Sequence, residues 1–214
     1  MKVQLERVLP QEIEQRSMEL IQQELDARGI TLPPQLAPVV KRVIHTTADF
    51  DYARNLAFSP QAVELGLAAL KAGATVVTDT QMAHAGVNKR ALARLGGEAL
   101  CFMSDPDVAA QAAQTGSTRA AASIEKAARV LGGRPAVFAI GNAPTALARL
   151  YELAEEGALR PALVIGVPVG FVNVVESKEL ILQSDVPHIV AKGRKGGSNV
   201  AAAICNALLY QIAR

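Results

Sequence analysis

The sequence predicts an α/β protein, a three-layer α/β/α sandwich on a mainly parallel five-stranded sheet with an N-terminal pair of helices ahead of it. Three observations predict this. Five short runs, TVVTD (75–79), EALCFM (98–103), PAVFAI (135–140), PALVIGV (161–167) and PHIVAK (187–192), are rich in Val, Ile or Leu and do not alternate apolar with polar. Strands buried on both faces of a parallel sheet read this way. Segments with helical periodicity separate the runs, as crossover connections require. The chain has 214 residues, 50% of them hydrophobic and 20% charged, enough for one large domain with a full core.

Taken in order, residues 11–28 and 34–47 read as two amphipathic helices joined at Gly29 and the Pro33-Pro34 pair, because glycine and proline both end helices. They precede the sheet instead of alternating with it. Within a single domain spanning 1–214, the first 50 residues are therefore an extension that covers a sheet edge or packs on another subunit, and a homodimer is expected. The stripe Ile13, Met18, Leu20, Ile21 and Leu25 fits a core face or an interface. Ser59-Pro60 reads as an N-cap with proline at the first helical position, opening a helix that ends on Gly73. Helical patterns follow at 88–95, at 105–131 with a break near Gly116, at 143–156 and at 172–183, and 198–213 forms a closing helix. The first run is expected centrally, with strands on both sides of it.

Composition excludes several function classes. A formal charge of +2 gives no general attraction to nucleic acid or to a membrane surface. Aromatic residues are 4% of the chain, with no Trp, so the stacking platforms of single-strand binders are not visible. Cys101 and Cys205 lack metal-ligand spacing and read as small buried hydrophobes. No run approaches 18 apolar residues and the N-terminal segment carries acids, which points to a cytoplasmic protein. There is no G-x-x-x-x-G-K-[ST], no G-x-G-x-x-G after the first run, no G-x-S-x-G and no H-E-x-x-H, so nucleotide binding and the common hydrolase and zinc-protease classes lack support. No cofactor and no metal site is expected.

In an open parallel sheet, ligands bind outside the carboxyl ends of the strands. The third run leads into GNAPT (141–145), where Gly141 and Asn142 offer backbone N–H groups at the start of a helix, an arrangement that favours an anion. The last run leads into KGRKGGSN (192–199), whose Lys192, Arg194 and Lys195 form the strongest local positive cluster. Carboxylates suit such a cluster, although a solvated surface loop would read the same way. Arg119 opens a helix, where a cation gains nothing from the dipole, and it is either a further anion contact or a partner of Glu125. His188 reads as structural, and Asp49 and Asp51 are not expected to face one another. In RVIHTTADFDY (42–52), His45 ends an amphipathic helix beside hydroxyls and acids. Imidazole titrates near neutrality and is suited to proton transfer, while a cationic histidine also suits a helix C-terminus as a cap. One well-placed histidine among hydroxyls and cations suits proton-assisted isomerisation better than redox chemistry.

The segments QRS (15–17), RVIHTTADFDY, VVTDTQMAHAGV (76–87), TGSTRAA (115–121), AIGNAPTAL (139–147), VGFVNVVESKELIL (169–182) and KGRKGGSNVAAAICNALL (192–209) occur in one order. Together they resemble the precorrin-8X methylmutase family, also called cobalt-precorrin-8 methylmutase. The resemblance implies a homodimeric, cofactor-free isomerase of corrin biosynthesis with a flavodoxin-like fold. Such an enzyme moves a methyl group from carbon 11 to carbon 12 of precorrin-8X or cobalt-precorrin-8. It also implies that His45 donates a proton to the macrocycle and that Ser17, Thr80 and Arg119 lie in substrate-contacting segments. Apolar Met82, Val167, Val169 and Phe171 would then face the ring plane while basic residues hold its carboxylate rim. A corrinoid carrier without turnover is the competing reading.

Overall fold

The computed structural model describes residues 8–212. The sheet has six strands: β1 (Leu56–Phe58), β2 (Thr75–Thr78), β3 (Ala99–Leu100), β4 (Ala136–Ile140), β5 (Leu163–Gly166) and β6 (His188–Ala191), in the spatial order β1-β6-β5-β4-β2-β3. The last five are parallel and come from the five apolar runs. The expected five-stranded sheet is corrected by β1, which pairs antiparallel with β6 and forms one edge. Its three residues are too few to show a period. Among themselves the parallel strands lie in the order second, first, third, fourth and fifth run. The first run is thus interior but one strand from the edge. The middle place belongs to β4, whose five apolar residues are all buried.

Helices cover both faces, and the short α3 (Tyr52–Asn55) and α6 (Lys89–Arg94) lie in the connections before β1 and β3. Val76, Val137, Leu163, Ile165 and Ile189 pack under α4 (Ala62–Lys71) and α11 (Ser198–Ile212), while Val77, Phe138, Ile140, Val164 and Val190 pack under α8 (Arg119–Leu131), α9 (Pro144–Glu155) and α10 (Val174–Leu182). Alternate residues of one strand point to opposite faces, so a strand apolar at every position serves two cores at once. Each fully buried Val, Leu, Ile or Phe contributes about 1.5–3 kcal/mol. Gly66 lets α4 approach closely, since a Cβ there would stand 2.8 Å from a Leu163 methyl.

The N-terminal helices α1 (Ile13–Ala27) and α2 (Ala37–Thr47) form a layer outside α11. Val39, Val40, Val43 and Ile44 of α2 are buried there, so the extension covers a helix and not a sheet edge. The α1 stripe divides: Ile21 and Leu25 are buried, while Ile13 and Leu20 are exposed. The long helical pattern breaks as expected at Gly116, whose φ of 67° ends α7 (Pro106–Thr115) before α8 begins. Ser59 does not cap a helix. Its Oγ accepts from His188 N at 2.8 Å and its N–H donates to His188 O, extending the β1–β6 pairing, and α4 starts instead after Gln61 in the left-handed region. Among the described residues no helix is long and apolar enough to cross a membrane.

Phe138 is fully buried at the centre of β4. Phe138→Ala should lower the unfolding free energy by about 3–5 kcal/mol, read as a shift of the urea midpoint without a change in slope.

Candidate active site

The loops leaving the carboxyl ends of the parallel strands are tied together by one buried carboxylate. Asp79, the residue after β2, has no exposed surface. Its Oδ1 accepts from Gly141 N at 2.8 Å, and its Oδ2 accepts from Asn142 N at 2.8 Å and Ala143 N at 2.6 Å. The three donors lead into α9, where helix N–H groups lack partners of their own. Burial raises the Asp79 pKa against the lowering effect of these bonds.

Further contacts close the edge. Thr80 caps α5 (Gln81–Gly86) by accepting from Ala83 N at 3.0 Å, and its Oγ1 shares a 2.8 Å hydrogen bond with Ser198 Oγ at the start of α11. Gln81 Nε2 donates to Ser104 Oγ in the loop after β3. Thr118 and Thr145 share a 2.7 Å hydroxyl contact that brings the start of α8, and hence Arg119, to the start of α9. A Cβ on Gly141 would stand 2.7 Å from Ser198 Cα, and one on Gly196 would stand 2.1 Å from Val167 O. Only glycine permits the loops after β4, β5 and β6 to meet this closely.

The 192–199 loop reads differently in space than in sequence. Lys195 Nζ donates to Asp49 Oδ2 and Asp51 Oδ2, both at 2.6 Å. The two carboxylates hold its ammonium well above the usual lysine range, and Lys195 holds the Asp49 carboxyl low. Lys195 is therefore neutralised within the chain instead of free for a ligand, and Asp49 and Asp51 do converge, on one cation. The Arg194 guanidinium lies 5.4 Å from the centre of the Phe171 ring. Lys192 and Arg119 are exposed and have no carboxylate partner among the described residues. The Arg119–Glu125 pairing is not formed, because Glu125 bonds Arg149 at 2.8 Å. The N–H groups of Gly141 and Asn142 are engaged by Asp79 and so are not open anion donors, although the Asn142 side chain is exposed.

His45 is exposed in the last turn of α2. Arg42 of that helix lies over the Tyr210 ring near the end of α11, while Asp49 and Asp51 meet the loop just before α11 begins. Helix α2 therefore runs antiparallel to α11, with its C-terminal end toward the carboxyl edge of the sheet. Ser17 Oγ donates to Ile13 O within α1, and no hydrogen bond among the described residues links it to the edge loops. Exposed apolar side chains gather at this edge: Met82 (71% exposed) after β2, and Val169, Phe171 (81%) and Val172 (76%) after β5. Val167 is fully buried and does not join them, because its backbone sits under Gly196 and Gly197.

Two residues, Asp79 among the strand-end candidates and Lys178, have roles that sequence reasoning missed. Asp79 ends an apolar run like any solvent-facing strand end, and only the partner N–H groups more than 60 positions away reveal it. Lys178 in α10 is 1% exposed, with Nζ donating to Gly193 O at 2.7 Å and Lys195 O at 2.8 Å. Burial pulls its pKa down to about 8. No local signal marks it, because in VNVVESKE it stands near Glu176 and Glu179, which are exposed. His188 is buried, with Nδ1 2.8 Å from Val186 O. A groove of about 730 Å³ runs beside β1, β6 and α10, lined by Phe58, Glu179, Asp185 and His188 among others. Of the candidate residues it includes Lys192 alone. The described residues contain no cluster of three or more His, Cys, Asp or Glu able to hold a metal.

The sequence profile of the precorrin-8X methylmutase family matches residues 12–211. The chain is 45% identical over 201 residues to a cobalt-precorrin-8 methylmutase of Priestia megaterium, covering 94% of this chain and 88% of that protein. It is 49% identical over 174 residues to the cobalt-precorrin-8 methylmutase of Salmonella typhimurium, covering 81% and 80%. The crystal structure of a precorrin-8X methylmutase from Thermus thermophilus superposes with a TM-score of 0.84 at 42% identity, over 93% of this chain and 96% of that one.

Because the folded pKa of Asp79 lies above its unfolded value, the folded protein keeps a proton between the two that the unfolded chain has released. The contribution of Asp79 to stability therefore falls as pH rises through that interval. Asp79→Asn should abolish this pH dependence. It should also cost about 1–3 kcal/mol at neutral pH, since an amide NH2 would face a backbone N–H. Urea unfolding of both proteins across the acidic-to-neutral range tests both statements.

Proposed function

The chain belongs to the precorrin-8X methylmutase family and is an isomerase of corrin biosynthesis, and from this premise we propose that His45 donates the proton that starts a methyl shift from carbon 11 to carbon 12. The substrate is precorrin-8X or cobalt-precorrin-8, and the product hydrogenobyrinic or cobyrinic acid. The observation that carries the reading is the composition of the carboxyl edge. Exposed Met82, Val169, Phe171 and Val172 and the exposed cations Lys192, Arg194 and Arg119 all follow the carboxyl ends of parallel strands or open a helix there, and Arg194 lies 5.4 Å from the centre of the Phe171 ring. A flat apolar macrocycle rimmed with acetate and propionate groups needs both kinds of surface.

Protonation of a ring nitrogen or pyrrolic carbon redistributes charge through the conjugated system. The bond from carbon 11 to its methyl then breaks as the bond to carbon 12 forms, and a proton leaves to complete the isomerisation. No electrons are gained or lost. A positioned general acid contributes ~10²–10⁴-fold, and fixation of the macrocycle supplies the rest. Thr80 and the Asn142 side chain border the same edge and are read as polar contacts to the ring's substituents. Any cobalt is ligated by the macrocycle, so the protein needs no cofactor of its own. The reading includes a single flavodoxin-like α/β/α domain acting in the cytoplasm, without nucleic-acid or membrane partners. It also includes a homodimer. Ser17, which no hydrogen bond among the described residues ties to the edge loops, would serve the site of a second copy. The relatives are methylmutases, and no observation favours a carrier.

His45→Ala should retain product binding yet lose turnover of precorrin-8 by ~10²–10⁴-fold. Near-parental turnover, followed by absorption with metal-free and cobalt-containing substrate separately, would remove the donor role. Arg119→Gln should weaken product binding by about 1.5–3 kcal/mol, measured by titration calorimetry. Light scattering should give twice the 22.5 kDa chain mass.

A further inference from the structure

Resting on the reading of His45 as proton donor, we propose that Lys178 is a positioning residue that holds the end of the His45 helix through the loop after β6. Its buried ammonium clamps two carbonyls of that loop, and Lys195 of the same loop grips the two carboxylates that follow the helix.

A lysine inside a protein is costly, and an apolar side chain of similar length would fill the same volume at lower cost. Lys178 is 1% exposed and its partners are carbonyl oxygens. No ion pair among the described residues involves Lys178, and burial pulls its pKa down. What the charge accomplishes is geometric. Gly193 and Lys195 lie two residues apart, and with both carbonyls turned inward to one ammonium the middle of the loop has a fixed course. The flanks are anchored separately, by Lys192 N to Asn55 O at 2.8 Å and by Gly197 N to Val167 O at 2.9 Å. Within the stretch between them Gly170 N donates to Arg194 O at 3.3 Å, and Lys178 holds the carbonyls on either side of that residue.

From this stretch Lys195 reaches outward to Asp49 and Asp51. The two acids form a small turn of their own, with Asp51 N donating to Asp49 Oδ1 at 3.0 Å. Helix α2 ends at Ala48 in the left-handed region, with φ of 53°, so Asp49 follows His45 by about one helical turn. An exposed ion pair on two mobile chains contributes little. Here the backbone of the lysine is already held from within, so less freedom is lost when it binds the acids. Lys178 is buried and, among the described residues, makes no hydrogen bond to His45, and its role is to place groups at the edge.

Lys178→Met keeps the stem and removes the ammonium, and Lys195→Met removes the grip at the surface. Each should lower kcat for precorrin-8 isomerisation about tenfold, with KM within about twofold. The double variant should be no slower than Lys178→Met, because both changes cut one chain of contacts. Amide exchange across 45–51 should rise in both single variants, and across 193–195 in Lys178→Met alone. Parental kcat in Lys195→Met, or faster exchange at 193–195 in Lys178→Met with 45–51 unchanged, would overturn the proposal. Should Lys178→Met fail to fold, Lys195→Met decides by the same two readouts. If the parent protein does not isomerise precorrin-8, the methylmutase mechanism fails, and exchange at 45–51 still decides whether Lys178 holds the helix end.

Discussion

The Asp79 carboxylate is the interaction on which the geometry of the carboxyl edge depends. It sits at the end of β2 and binds the loop leaving β4, the neighbouring strand. Between these two strands the order of the runs reverses, and in open α/β sheets that crevice is where ligands enter. The protein has filled the anion position there with its own carboxylate. A nucleotide phosphate would find three N–H donors already bonded to Asp79, which agrees with the absence of any phosphate-binding motif in the sequence. With that position closed, the surface left for a ligand is the rim formed by the side chains of the surrounding loops.

Close packing of those loops follows from the same constraint. With the 141–143 backbone drawn onto Asp79, the start of α11 comes within a distance that excludes any side chain at Gly141, and the Thr80–Ser198 hydroxyl bond closes the third side. Gly196 performs the equivalent service against Val167. The glycines in GNAPT and KGRKGGS therefore serve backbone-to-backbone contact. Their resemblance to anion-binding turns is real at the level of composition, but their N–H groups and space are used internally.

The parallel strands were legible because burial on both faces imposes apolar residues at successive positions, a pattern that needs no partner to be seen. Strand β1 was not, since three residues at an edge carry no period and its identity depends on Ile189, Val190 and Ala191 across the ladder. The location of His45 at a helix end was legible from the amphipathic run that precedes it. Which cations stay free was not. Lys195 reads like Lys192 and Arg194 in sequence, and only folding brings it to acids about 145 positions away. Lys178 illustrates the same limit from the other side, because sequence patterns assign lysine to the surface and nothing local marks one that is enclosed.

Once these internal pairings are subtracted, the edge that remains has a definite chemical character. Phe171 is more than four-fifths exposed and Arg194 lies over its ring, so an aromatic face and a guanidinium are presented as one unit. Such a pair is worth about 0.5–1 kcal/mol at an exposed site, enough to orient the arginine without consuming its hydrogen-bond donors. Contiguous exposed apolar surface is uncommon on soluble proteins unless something covers it. Met82, Val169, Phe171 and Val172 are exposed on the loops after β2 and β5, and the proposed site adds the charges of Lys192, Arg194 and Arg119. A purely anionic ligand would leave the apolar part wet, and a purely apolar one would strand the cations. The ligand that satisfies both is broad, largely apolar in its plane and anionic around its margin, which is the character of a corrin precursor with its carboxylate side chains.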